Sequence, residues 1–264
     1  MQTLRNAGGN WAPGCASADA AGGTVAVAVR SGAVLLRAAD GGFLGELRLP
    51  GRAPPRTTAV RFCHALALRH LLAVGADDGA VAVFDAHTRR VVRIVKQHGS
   101  RKRDAAAAAV AALCFGADTP DLLFVARADG TLSRVALAEV QKDGVSVASA
   151  LEWFIRSAVA RPVCMTCVHG SPGVIFVAGL LGRRVESASR QAQEDCSDGV
   201  LAAISVVNGG PVAVLPYPPG IVHGLDVTSD KLGDIIVLIS GQSETPAIVL
   251  WRANSLNPVC KEDS

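Results

Sequence analysis

The chain has 264 residues, half of them hydrophobic and 19% charged, and carries a net charge of +3. That balance supports a buried core and excludes intrinsic disorder, and so slight a charge does not by itself indicate a nucleic-acid ligand. The opening residues, MQTLRNAGGN, lack an apolar h-region, and the longest apolar run, residues 105–115, is too short to cross a bilayer. Seven cysteines, an odd number at irregular spacing, point to an intracellular, reducing compartment, cytoplasmic or nuclear, with no membrane contact.

In chain order, the first recognisable unit is GTVAVAVRSGAVLLR, with a turn at Gly32. AVRFCHALALRHLLAVGADDGAVAVFD begins at Ala59, AALCFGADTPDLLFVARADGTLSRVA at Ala111, CMTCVHGSPGVIFVAGLL at Cys164 and GLDVTSDKLGDIIVLISG at Gly224. Each of these four is a short alternating segment, a polar turn and an apolar run. Apolar anchors fall at Phe62, Phe115, Cys167 and Val227, and an apolar pair begins eight or nine residues later at Leu71, Leu123, Ile175 and Ile235. Turn residues are predicted at Gly32, Gly79, Gly130, Gly199 and Pro246, at intervals of 47, 51, 69 and 47 residues. The long interval contains a polar insertion at 180–198. Bulky residues follow the turns at Phe84, Val135, Ile204 and Trp251.

Alternation at period two, rich in Val, Ile, Leu and Ala, is the pattern of strands. The best helical candidate is LEWFIRSAVA, residues 151–160. About four strands per ~45 residues, repeated, is the pattern of β-propeller blades. The expected fold is therefore all-β, a single propeller domain over 1–264 with blades at about 9–50, 56–99, 108–150, 161–216 and 220–264. The last copy runs out of sequence after three strands. The ring is then open, closed by the residues before Trp11, or completed by a partner or a second copy, since closure removes exposed sheet edges.

LLAVGADDGAVAVFDAHTRRVV, from Leu71, resembles a WD40 repeat: Asp78-Gly79 sits in the hairpin turn, and Phe84-Asp85 stands where that family has Trp-Asp. IVLWR keeps the Trp at Trp251 and has Arg252 for the Asp, LLFVARADGTLSRVA keeps only Asp129-Gly130, and no copy has a well-placed Gly-His. The first copy, from Gly9 to Arg37, is similar to the opening blade of the RNA- and cap-binding WD40 Gemin family of the SMN complex. Asn10-Trp11, a Gly-rich turn and a strand ending in Arg30-Ser31 carry that likeness. It implies that Trp11 and Arg30 contact a nucleotide.

The sequence has no Gly-x-Ser-x-Gly, no P-loop, no GxGxxG after a first strand and no His-Glu-x-x-His, so neither enzymatic activity nor a cofactor is expected. Asp77-Asp78 reads as turn chemistry. His64, His70 and His87 read as solvated residues in or beside turns, and His223 as a structural residue ahead of a strand. The densest charge is RRVVRIVKQHGSRKRD, residues 89–104, ending in Arg101, Lys102 and Arg103. It is either a solvated strand edge or a surface for an anionic partner, RNA phosphate or an acidic protein. Only 4% of the chain is aromatic, which leaves Trp11 and Tyr217 as stacking platforms for single-stranded RNA. The expected function is a non-enzymatic scaffold that binds other proteins. The alternative is RNA binding in a ribonucleoprotein assembly through Trp11, Arg30 and Arg101–Arg103.

CMTCVHG, from Cys164, has the outline of half a zinc site. Residues three apart on a strand point to opposite faces, so Cys164 and Cys167 cannot converge on one metal without a turn between them. No metal is expected there, and both cysteines read as small apolar residues of an inner strand.

Overall fold

In a computed structural model of the protein, the described residues form nineteen strands and one short 3₁₀ turn, Leu66–Leu68. The structure describes residues 16–19, 21–29, 31–50, 55–95, 109–137, 151–168, 173–180, 199–217, 221–231, 233–242 and 245–253. The strands form five antiparallel sheets in chain order, the blades of a five-bladed β-propeller. Blade A holds β1 (Ala16–Ala18), β2 (Thr24–Ala28), β3 (Ala33–Ala38) and β4 (Phe43–Arg48). Blade B holds β5 (Thr57–Phe62), β6 (Leu71–Ala76), β7 (Val81–Asp85) and β8 (Arg90–Val95). Blade C holds β9 (Val110–Phe115), β10 (Leu122–Arg127), β11 (Thr131–Ala136) and β12 (Leu151–Phe154). Blade D holds β13 (Arg161–Cys167), β14 (Val174–Leu180), β15 (Gly199–Ser205) and β16 (Pro211–Tyr217). Blade E has three strands among the described residues, β17 (Ile221–Asp230), β18 (Gly233–Gln242) and β19 (Thr245–Arg252). The residues before Trp11, expected to complete the last blade, lie outside the described part of the chain.

Each strand of an inner blade serves two neighbours with its two faces. On β6, Leu72 and Val74 pack toward blade A, beside Leu36, Leu47 and Phe62. Leu71 and Ala73 of the same strand pack toward blade C, beside Leu113, Phe115 and Leu123. Blade C meets blade D through Phe124, Leu132, Ile175 and Ile204, and blade D meets blade E through Phe176, Leu201, Ile236, Leu238 and Trp251. This is why the second strands read as continuous apolar runs: both faces are buried, and so is every residue of β6. Among the described residues no core cluster joins blade E to blade A. Val237 is half-buried and Ile239 and Ile248 are exposed on the face of blade E turned away from blade D.

The anchors pair as the spacing predicts, with a shift of one residue in two blades. Phe115 lies opposite Leu123 and Cys167 opposite Ile175, whereas Phe62 lies opposite Leu72 and Val227 opposite Ile236. Gly79 and Gly130 turn their hairpins at φ 86° and 76°, in the left-handed region that only glycine enters without cost.

Three expectations are corrected. Residues 151–160 are not a helix: Leu151–Phe154 is β12, which covers the edge of β11, and only one helical turn follows, with the Val159 N–H bonded to the Ile155 carbonyl. Ten residues are too few for a helix to outcompete an open strand edge. Gly199 is not a turn residue but the first residue of β15, opposite Leu180, the insertion lying between them. Pro246 lies within β19 opposite Gly241, because the reversal falls between Gln242 and Thr245.

Candidate functional site

The innermost strands β1, β5, β9, β13 and β17 line the axis. Four of them carry a β-bulge at the same place. Thr58, Ala111, Val163 and His223 are the extra residues, each unpaired between two partners of the second strand. A bulge re-aims the strand that carries it. Three residues beyond each bulge stand Arg61, Cys114, Thr166 and Asp226. Ser17 has the matching place in blade A, since it pairs with Ala26 as Arg61 pairs with Ala73.

A polar or sulfur side chain occupies each of these five positions, at the level of a central cavity. Arg61 Nη2 donates to Asp226 Oδ1 at 3.2 Å, an ion pair that joins blade B directly to blade E. Arg61 is largely buried and Asp226 mostly exposed, and the Nε of Arg61 is buried without a hydrogen-bond partner. The pair lines two cavities, one of about 290 Å³ that all five blades border and one of about 220 Å³ that His64, Cys114, Thr166 and Cys167 border as well. Ser17 Oγ accepts from the Phe62 N–H at 3.0 Å, and the Thr58 hydroxyl donates to the Val110 carbonyl at 2.7 Å, so polar bonds cross between blades on the inner strands.

The outer strands form a second surface. Phe43 and Leu44 on β4, Val91, Val92 and Ile94 on β8, Leu151 and Phe154 on β12, and Val212 and Val214 on β16 are all exposed. Blades A and B are tied together at this rim by Arg89. Its φ of 58° is the one positive value at a non-glycine residue among those described, a conformation that costs on the order of 1 kcal/mol and marks a place where the surroundings hold the chain. Its side chain crosses Gly45, where a Cβ would come within 2.7 Å of it, and its Nη1 donates to the Leu44 carbonyl at 3.4 Å. The Arg37 guanidinium lies 5.7 Å from the centre of the Phe43 ring. Exposed apolar groups and cations therefore share the A/B rim.

The predicted nucleotide residues Trp11, Arg30, Arg101, Lys102 and Arg103 lie outside the described residues. Of the basic stretch, Arg89 and Arg90 are exposed, while Arg93 is buried and bonds the Leu137 carbonyl of blade C. Asp78 acts as a turn residue and accepts the Ala80 N–H, whereas Asp77 accepts the N–H of Arg56, 21 residues away, and so ties the hairpin to the segment before β5. His64 and His87 are exposed, and His70 stacks on His87. Asp85, in the signature position, accepts the N–H groups of Thr88 and His87. Those bonds, that of Thr88 first, hold its carboxyl below the ordinary value. Cys164 packs toward blade E and Cys167 toward blade C, the opposed faces that the spacing predicts. No group of three or more metal-ligating side chains occurs among the described residues.

Sequence reasoning missed Arg61, Asp226 and the neighbour of Cys167. The signal was present: each stands one residue before, or on, an anchor of the repeat.

This arrangement defines the molecule as a five-bladed β-propeller with an ion pair across its axis and an apolar, basic rim. No protein-family model and no curated protein sequence matches the chain.

Proposed function

We propose that this propeller is a non-enzymatic interaction scaffold of the WD40 type, which binds protein partners on its rim. The observation that carries the reading is the set of large apolar side chains exposed on the outer strands of blades A to D, since soluble monomers rarely expose contiguous apolar patches without using them. At the A/B rim Arg37 lies over the Phe43 ring and Arg89 reaches the Leu44 carbonyl, which suits a partner segment that is both apolar and acidic. No helix of the described residues is long and apolar enough to cross a membrane. The resemblance of blade B to a WD40 repeat and the rigid inter-blade cores support the same reading. In it, the edge of blade E that no described strand covers is where the chain's own ends, a partner or a second copy complete the ring.

RNA binding is the second reading. It rests on the likeness of the first blade and on the basic stretch, whose exposed start, Arg89 and Arg90, borders the same rim.

Crosslinking mass spectrometry from cells tests both. Protein crosslinks at β4 and β8 that vanish in a Phe43→Glu/Val92→Glu variant are expected for the scaffold. RNA adducts at Trp11 or Arg101–Arg103, with protein crosslinks unchanged in that variant, would overturn it in favour of RNA.

A further inference from the structure

Cys167 is the last residue of β13 and Cys114 the last but one of β9. Their sulfurs are 3.1 Å apart, across the junction of blades C and D, roughly 1 Å longer than a disulfide bond. Both are thiols in this structure, and they are 53 residues apart in the chain. Their bulged strands bring them together, because the two positions sit side by side at the axis and face one another. Cys114 is buried and Cys167 half-buried, and both line the cavity of about 220 Å³ with Thr166, Arg61 and Asp226. Cys167 is the more exposed of the two, so an oxidant from solvent reaches it before Cys114.

We propose that Cys114 and Cys167 are an oxidisable dithiol that peroxide converts to an inter-blade disulfide, locking blade C to blade D at the axis. The chemistry is two steps. The Cys167 sulfur attacks the O–O bond, takes one oxygen as a sulfenic acid, and one water leaves. The Cys114 sulfur then attacks the Cys167 sulfur. The S–S bond forms, the S–O bond breaks, and the hydroxyl leaves as a second water with the Cys114 proton. Two thiols lose two electrons to one peroxide, and a small thiol such as glutathione reverses the change by exchange. Burial, with the hydrogen bond to Cys167, holds the Cys114 thiol above its ordinary value, so it waits as the resolving partner and does not react on its own. Cys164 does not compete, since it faces blade E.

The fully reduced protein is treated with hydrogen peroxide, alkylated, and digested without reductant. A peptide pair linking Cys114 to Cys167 is expected, with a melting temperature raised by about 5 °C or more, and glutathione should restore both the free peptides and the original melting temperature. Cys167→Ser should abolish the link and the shift, and Cys164→Ser should leave both. A link from Cys164 to Cys167, or over-oxidation of Cys167 while Cys114 is still alkylated after unfolding, would overturn the proposal. Should Cys167→Ser fail to fold, the peptide map of the native chain and of Cys164→Ser decides the matter.

Discussion

Strands β6 and β18 hold the same place in their blades and read alike, as LLAVGA and GDIIVLISGQ. All of β6 is buried, whereas β18 buries Ile236 and Leu238 completely and leaves Ile239 38% exposed. The difference lies in their surroundings. Blade B has neighbours on both sides, while among the described residues blade E has a packed neighbour on one side only. An apolar residue contributes to stability in proportion to what covers it, so two residues adjacent in sequence can have unequal worth.

The largest expected effect tests that inequality within one strand. Leu238→Ala should cost about 2–5 kcal/mol, as cavity-forming changes in tight cores do, while Ile239→Ala should cost less than about 1 kcal/mol. Denaturant titration of both measures this, and equal costs would mean that the outer face of blade E is covered in solution. Next comes a pair of glycines. A Cβ at Gly75 would lie 2.5 Å from Val110 of the next blade, whereas at Gly224 nothing lies within 4 Å. Gly75→Ala should cost about 1–3 kcal/mol through overpacking, and Gly224→Ala should be neutral or stabilise by about 0.5 kcal/mol, both read from melting curves.

A kinetic contrast follows between the buried and half-buried cysteines of one strand. Burial pushes the Cys164 thiol up to about 12. The neutral thiol is the form that the fold favours, so its contribution is complete below the ordinary thiol value and is lost as pH rises toward 12. At pH 8 Cys167 should be alkylated by iodoacetamide in the native protein, and Cys164 only after unfolding. The smallest effect is at Asp85. Its folded carboxyl lies below the ordinary value of about 3.9, so its contribution is present above that pH and fades as pH falls through the lower folded value. Asp85→Asn should flatten the acid-side stability curve and lower the neutral-pH midpoint only slightly, because the group lies near the surface and Asn keeps an acceptor oxygen for the same N–H groups.

Much of this architecture was legible along the chain. The spacing of Phe62, Phe115, Cys167 and Val227 located four inner strands, Gly79 and Gly130 located the hairpins between second and third strands in blades B and C, and Trp251 located the core of the last blade. These features are local: strand alternation and left-handed turns follow from the chemistry of a few neighbouring residues. Residues 151–160 and Pro246 were misread for the complementary reason. Whether a short apolar segment becomes a strand depends on the edge that waits for it, and β11 lies elsewhere in the chain.

The candidate site belongs still more to the tertiary structure. Arg61 and Asp226 are 165 residues apart, and nothing near either one announces the other. CMTCVHG looked like a motif because two cysteines stand close in sequence, yet its strand sends them to opposite faces. Cys167 instead meets Cys114 of the neighbouring blade. Period and composition were enough to specify blades and their order. Which side chains meet at the axis was decided only when the bulged inner strands closed around it, because contacts between blades depend on how sheets stack, and local pattern carries no record of that.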